Sequence, residues 1–351
     1  MVQGARVVSI EIEPVRGPLD EERLSWITRL YGVVDAKYAS LEFVRHQFAG
    51  NPFGWAAHVF VLDHGRPVGH CSAVPFRARR GDEQLVAGKI EAVVVDAEHR
   101  GRRPDGRSLA VEMLSALYPF GLDCGMDVLF GLAPPHVARV HVRAGCHEIA
   151  PDAPAYTMVS DAAAFAGKRR AAGRVLAAAQ AATVGTADAV ARIAARPGAP
   201  TLEPPTAADA ELATAQIGGD GWTISGADAW DWLAGSGTLE ALEIPGRSGC
   251  RALVRIAKPG TAPAQIVAWR PNRRGVTPAV LLLGAAVKLA RQRAAPTLRF
   301  QPWSGSGGDG TLARTCSLLG FVKRPEAALV VYSRDPRMDA LRLTPFFYVT
   351  F

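Results

Sequence analysis

Between Val7 and Glu13 apolar and polar residues alternate, the period of a half-buried strand. Leu19-Asp20-Glu21-Glu22 then opens a stretch in which Leu24, Ile27, Leu30 and Tyr31 fall at helical spacing. A second helical piece runs from about Ser40 to Gln47 and stops at the turn cluster Gly50-Asn51-Pro52. The period then changes. Trp55 to Leu62, Pro67 to Ala78 and Ile90 to Val95 read as strands separated by the turns Asp63-His64-Gly65 and Arg80-Gly81-Asp82, which predicts an antiparallel meander. Beyond a loop from His99 to Arg107, the helical run with Leu109, Val111, Met113, Leu114 and Leu117 leads to a short buried strand, Asp127 to Leu132. A helix from Pro135 to Ala144, closed by Gly145, and a last strand, Tyr156 to Val159, complete this part. Strands alternating with helices make neighbouring strands parallel, so the first lobe is expected to be mixed α/β.

From Ala162 to Arg196 the chain is Ala-rich, with one apolar stripe formed by Phe165, Val175, Leu176, Val190 and Ile193, and it ends at Pro197-Gly198. The pattern then echoes the first lobe. Helices are predicted at Thr206 to Ile217, Ala227 to Leu233, Pro278 to about Ala290 and Thr311 to Leu319. Strands are predicted at Ala252 to Ile256, Gln265 to Trp269, Thr297 to Phe300, Ala328 to Tyr332 and Phe346 to Phe351. Single cores stop growing at roughly 250–300 residues, so a chain of 351 is expected to divide. The expected division is 1–161, a helical connection over 162–205, and 206–351, with the second lobe a degenerate copy of the first.

Composition narrows the function classes. At 48% hydrophobic and 21% charged the chain is too apolar to be disordered, and its longest apolar stretch, Val280 to Val287, is interrupted by Lys288 and Arg291 well short of a membrane span. Met1 to Glu13 carries no export signal, so a cytoplasmic location is expected. Five scattered cysteines without a C-x-x-C pair give neither a disulfide framework nor a metal site. The +7 net charge suits an acidic partner such as phosphates, nucleic acid or an acidic carrier protein, although an Arg-rich coding bias would produce the same balance.

Chemistry concentrates where the strand Val93-Val94-Val95 feeds the loop Asp96-Ala97-Glu98-His99-Arg100-Gly101 and then a helix beginning near Gly106 to Ser108. Unpaired amides at a helix N-terminus form an anion cradle, and glycine lets a phosphate approach the backbone closely. A solvated surface turn is the plain alternative. Glu91, on the strand entering this loop at the parity of Val93 and Val95, is a candidate base, and otherwise a solvent-facing strand glutamate. His70 and Cys71 are adjacent on a strand and therefore face opposite ways, which argues against a Cys/His nucleophile pair.

The loop resembles the acyl-CoA motif of the GCN5-related N-acetyltransferase (GNAT) superfamily, V-x-V-x-P-x-x-R-G-x-G-x-G/A. Val93, Val95, Arg100, Gly101 and Gly106 match it, Ala97 replaces the proline, and Arg103-Pro104-Asp105 reads as an insertion. Downstream, Val140-His141-Val142-Arg143-Ala144-Gly145-Cys146 stands where the family has L-Y-x-x-x-G-F, so His141 takes the place of the tyrosine that protonates the leaving thiolate. The resemblance implies two tandem GNAT-like domains of α/β class, each a mixed, largely antiparallel sheet flanked by helices. It implies acetyl-CoA or a longer acyl-CoA as co-substrate, no metal, and direct transfer of the acyl group to a primary amine of a small molecule, amino sugar or peptide in a ternary complex. The residues implied for the donor are Val93, Val94, Val95, Arg100, Gly101, Arg102, Arg103, Gly106, Arg107, Ser108 and Phe130, with His99 beside them, and those for catalysis are Glu91 and His141. In the second lobe, Ala268 to Gly275 and Cys316 to Phe321 repeat the two motifs weakly, so the donor is expected in the first lobe and the second lobe is expected to shape the acceptor site. Three other readings remain open: aminoacyl transfer from tRNA as in Fem-type transferases, an acyl carrier protein as donor, and a non-catalytic acyl-CoA-binding protein. Direct binding to nucleic acid is not otherwise expected.

Overall fold

A computed structural model describes residues 10–34, 36–100, 108–149, 155–160, 189, 192, 199–211, 221–224, 229–232, 238–246, 250–256, 263–270, 276–300, 315–317, 319–324 and 328–341. These form two compact units that are not contiguous in sequence. The first comprises 1–78, 84–150 and 328–341, and the second 79–83, 151–327 and 342–351.

The first unit is a sheet with the order β1-β2-β3-β4-β5-β15-β6: β1 Ile10–Arg16, β2 Ala57–Asp63, β3 Arg66–Arg80, β4 Glu83–Val95, β5 Val128–Ala133, β15 Ala328–Tyr332 and β6 His147–Ile149. The meander forms as the period-2 pattern predicts, with β1–β2 and β2–β3 antiparallel. The β2–β3 turn uses His64 and Gly65, both at positive φ, the geometry whose twist matches paired strands. Helices α1 (Glu21–Gly32) and α2 (Leu41–Ala49) start where side chains cap free amides: Asp20 accepts from the Arg23 N–H at 2.8 Å and Ser40 from the Phe43 N–H at 3.2 Å. They cover one face of the sheet, where Trp26 meets Phe60 and Phe48 meets His58 edge to face. Helices α3 (Leu109–Asp123) and α4 (Pro135–Arg143) cover the other, burying Met113, Leu114, Leu117 and Tyr118 against Val59, Val61, Cys71, Ile90 and Leu129. Each such large apolar side chain contributes roughly 1.5–3 kcal/mol on burial.

The second unit repeats the order, as β14-β7-β13-β12-β11-β10-β8 read from the opposite edge: β8 Thr201–Glu203, β10 Thr238–Glu243, β11 Arg251–Ile256, β12 Ala264–Arg270, β13 Thr297–Phe300, β7 Ala155–Val159 and β14 Val322–Arg324. The two-residue strand β9 (Thr223–Ile224) stands outside both orders. Helix α5 (Ala207–Glu211) precedes these central strands, and α6 (Val276–Gln292) packs Leu282, Leu283 and Ala286 onto Val254, Ile266 and Trp269. In each sheet the only parallel pair shown joins the fourth and fifth strands, β4–β5 and β12–β13.

The two sheets exchange one strand. β15 lies between β5 and β6, antiparallel to both, while β7 lies between β13 and β14. Tyr156 to Val159, expected to close the first lobe, therefore sits in the second sheet, and Ala328 to Tyr332 sits in the first. The compact units consequently do not divide at 161. Most of the expected connection 162–205 and the expected strand at Phe346 to Phe351 lie outside the described residues.

Candidate functional site

The site begins where two parallel strands separate. The β4–β5 ladder has three rungs, Ala87 with Val128, Gly88 with Leu129 and Lys89 with Phe130, and runs no further. Beyond it β5 pairs with β15 on its other side, out to Ala133. Gly131 allows Ile90 to lie close at the opening, since a Cβ there would stand 3.4 Å from the Ile90 Cβ. Two residues on, Ala92 takes φ 56°, a left-handed conformation inside a strand, and the alternation of faces slips by one. Ile90, Val93 and Val95 all pack into the core beneath α3, an impossible set for an unbroken period of two. Glu91 therefore faces the opposite way from Val93 and Val95, which corrects the parity expected from sequence.

On the α1/α2 face the Glu91 carboxylate lies 2.6 Å from the Lys89 ammonium, both side chains being at most 9% exposed. Glu91 Oε1 nevertheless lacks a hydrogen bond of acceptable direction, so the pair is close but not aligned. Ser72 donates to the Glu91 carbonyl at 2.9 Å and stands directly opposite His58 on β2. A polar row therefore crosses three strands. His58 and His70 meet at 3.1 Å between Phe48 and Phe60, and burial pushes both below the ordinary imidazole range, His58 to about 3. Burial likewise pushes the Tyr31 phenol well up, with smaller contributions from Tyr38, Cys71 and Glu91.

On the α3/α4 face, the Arg100 Nε donates to the Val95 carbonyl at 2.8 Å, tying the loop to the end of β4. Its two terminal amino groups have no partner in the hydrogen bonds described. His99 Nε2 lies 3.1 Å from Asp63 Oδ2, so His99 anchors the loop to the β2–β3 turn, where it had been expected to meet phosphate. Ser108 caps α3 without a side-chain hydrogen bond, which leaves that role to another acceptor. His141 is buried on α4, its Nδ1 2.7 Å from the Tyr118 hydroxyl, and burial pushes it down to about 4.

Glu91 and His141 thus stand on opposite faces of one sheet. They can serve one reaction only through the gap that opens past Lys89 and Phe130, which is also where Val94 and Val95 end β4. Phe130 is fully buried and paired in register with Lys89, on the face away from the α3 core. Gly101, Arg102, Arg103, Gly106 and Arg107 lie outside the described residues. Sequence reasoning missed Lys89 and Tyr118. The signal for the first was present, since Lys89 and Glu91 are opposite charges two apart on a strand and so share a face. Tyr118 reads only as part of an apolar helical stripe.

Cysteine chemistry finds no support. Cys71 packs under α3 while His70 faces α1, and burial pushes the Cys71, Cys146 and Cys316 thiols up, the last two to about 12. Among the described residues no three His, Cys, Asp or Glu side chains converge as a metal site would require, and no helix is long and apolar enough to cross a membrane.

The same architecture occurs in solved acetyltransferase structures. A tandem GNAT protein from the clavulanic acid biosynthesis pathway matches with a TM-score of 0.53 at 15% identity, over 93% of this chain and 99% of that one. A GCN5-related N-acetyltransferase from Kribbella flavida matches at 0.50 and 13%, over 91% and 71%. A putative acetyltransferase from Pyrococcus horikoshii matches at 0.52 and 8%, over 92% and 90%. No family model matches the sequence and no curated protein is similar to it. At these identities the likeness is one of fold, and the fold is that of two tandem GNAT domains, of α/β class.

Proposed function

We propose that the chain is an N-acyltransferase that moves an acyl group, acetyl or longer, from a coenzyme A thioester to a primary amine, with the chemistry in the first unit. The observation that carries this reading is the gap past Lys89 and Phe130, with a carboxylate on one face and an imidazole on the other. The thioester supplies an activated acyl carbonyl and a sulfur leaving group. An attacking amine is protonated in water near neutral pH and must lose a proton. Glu91 is the acceptor, because its Oε1 is buried, carries a lone pair without an aligned donor, and lies on the face from which the amine approaches. Lys89 balances the buried charge and holds the carboxylate in place. On the other face the main-chain amides of Val93, Val94 and Val95 suit the carbonyl and pantetheine arm. The terminal amino groups of Arg100, which have no partner in the hydrogen bonds described, the α3 N-terminus at Ser108 and the loop residues Gly101, Arg102, Arg103, Gly106 and Arg107 suit a diphosphate. His141 meets the departing sulfur. Phe130 closes the neck of the gap. The acceptor is a small-molecule, amino-sugar or peptide amine, a carrier protein's pantetheine can replace free CoA, and the reading places the protein in the cytoplasm.

A thiol-release assay with acyl-CoA donors and a panel of primary amines tests this. Glu91→Gln is expected to lower kcat about 10²-fold or more while CoA affinity by calorimetry stays within about twofold. Because Glu91→Gln removes the carboxylate charge beside buried Lys89, the Lys89→Met/Glu91→Gln pair is assayed beside it as a charge-balanced control for folding. Wild-type turnover in both variants, or acyl transfer from charged tRNA without CoA binding, overturns the reading.

A further inference from the structure

Three proton-bearing groups meet on the α3/α4 face of the first unit: the Cys146 thiol, the Tyr118 phenol and the neutral His141 imidazole, with the Tyr118 hydroxyl 2.7 Å from His141 Nδ1 and the Cys146 thiol near enough to raise the phenol's pKa. All three are buried. The Tyr332 ring, on β15, stacks on Tyr118 at 4.9 Å and 24°. Tyr332 also lies 3.5 Å from where a Gly145 Cβ would stand. The phenol is therefore held in plane by a neighbour on an exchanged strand.

Two hydrogen-bond chains satisfy this cluster. In one, the thiol donates to the phenol oxygen, the phenol donates to Nδ1 of His141, and the remaining imidazole proton sits on Nε2. In the other, Nδ1–H donates to the phenol, the phenol donates to sulfur, and Nε2 carries a lone pair. The distance favours the first. At 2.7 Å the contact has the usual length of a hydroxyl donor and is short for an N–H donor, whose preferred separation is about 2.9–3.0 Å. The first chain also places the strongest acceptor, an imidazole nitrogen, against the phenol, and gives sulfur the weak bond it ordinarily makes. Nε2 has no partner in the hydrogen bonds described and is not among the sealed orphan atoms, unlike Nε2 of His58 and Nδ1 of His70.

We infer that Tyr118 is a positioning residue for the reaction proposed above. Its phenol donates to Nδ1 of His141 and fixes the imidazole with its proton on Nε2, so that His141 offers an N–H to the departing sulfur. This rests on the N-acyltransferase reading for its purpose, but not for its test. The neutral ring suits the role: burial holds the thiol and the phenol in their protonated forms and the imidazole in its neutral one. Nε2–H then stabilises a developing thiolate by hydrogen bonding and does not surrender its proton outright.

Histidine side-chain ¹⁵N NMR on the full chain reads the tautomer directly. At neutral pH His141 is expected to show a protonated Nε2 and an unprotonated Nδ1. Tyr118→Phe keeps the ring under Tyr332 and removes only the hydroxyl, and is expected to release His141 into a mixture of tautomers. The same variant is expected to lower kcat by roughly 3- to 10-fold with CoA affinity unchanged, the scale of one hydrogen bond. Tyr332→Leu, which removes the stack and leaves the hydroxyl, is expected to give a smaller change of the same kind. A wild-type Nδ1–H, or an unaltered tautomer in Tyr118→Phe, overturns the inference whatever the enzyme assay shows. A released tautomer with wild-type kcat overturns the positioning role. Absence of acyl transfer in the wild type, with the Nε2–H lock intact, instead counts against the reading of function on which that role depends.

Discussion

The two sheets share one strand order and differ in what they bury at the parting strands. In the first, the last rung pairs Lys89 with Phe130, and Glu91 follows two residues on. In the second, the last rung pairs Ile266 with Phe300, and Ala268 follows two residues on. β12 also slips by one residue, at Val267, but without a residue at positive φ, and Trp269 packs against Phe300 at 5.1 Å. All eight histidines fall between His46 and His147, in the first unit. Buried polar groups cost stability unless paired, so a fold indifferent to chemistry drifts towards the apolar version. At Ala268 the second sheet has that version, although it buries Arg255 and Thr297 elsewhere, whereas the first keeps a buried ion pair at the same place.

The comparison can be broken most severely through the strand the sheets exchange. A chain ending at residue 327 lacks β15, which fills the interior of the first sheet between β5 and β6, and is expected to lose cooperative thermal unfolding and CoA binding together. Moving the charge to the other sheet is next in size. Ala268→Glu buries an unpaired carboxylate and is expected to destabilise by several kcal/mol in urea titrations, with thiol release unchanged. Acid sharpens the contrast. His58 and His70 have folded-state pKa values below their unfolded ones, so their neutral burial contributes fully above about pH 6.5. That contribution is lost progressively as pH falls, for His58 down to about 3. Stability is expected to drop by about 1.4 kcal/mol per pH unit for each of the two below 6.5, and His58→Gln/His70→Asn should flatten that slope between pH 6.5 and 5. The smallest effect expected is on the donor side. Arg100→Ala should weaken CoA binding about 10-fold by calorimetry with kcat retained, whereas Arg293→Ala, which opens a solvent-screened pair with Glu240, should leave CoA binding and the melting temperature unchanged.

Much of this was legible along the chain. Strands at Thr297 to Phe300 and Ala328 to Tyr332 coincide with the observed ones, because period-2 alternation reports faces well. It does not report partners, and β15 pairs with strands some two hundred positions away, so the exchange was invisible. The slip at Ala92 was hidden for another reason: no glycine or asparagine marks it, and only packing on both sides holds an alanine at positive φ. His141 was singled out as a candidate through its place before Gly145 and Cys146, whereas Tyr118, 23 residues earlier on another helix, carried no mark separating it from the core stripe around it.

The exchanged strand also sets an order of events at the ribosome. β6 leaves the tunnel roughly 180 residues before β15, about 10–40 s at ordinary elongation rates. Throughout that interval the nascent first sheet has two open edges, at β5 and β6, that nothing yet made can join. Chaperone occupancy on ribosome-bound chains of increasing length should persist until residue 332 emerges.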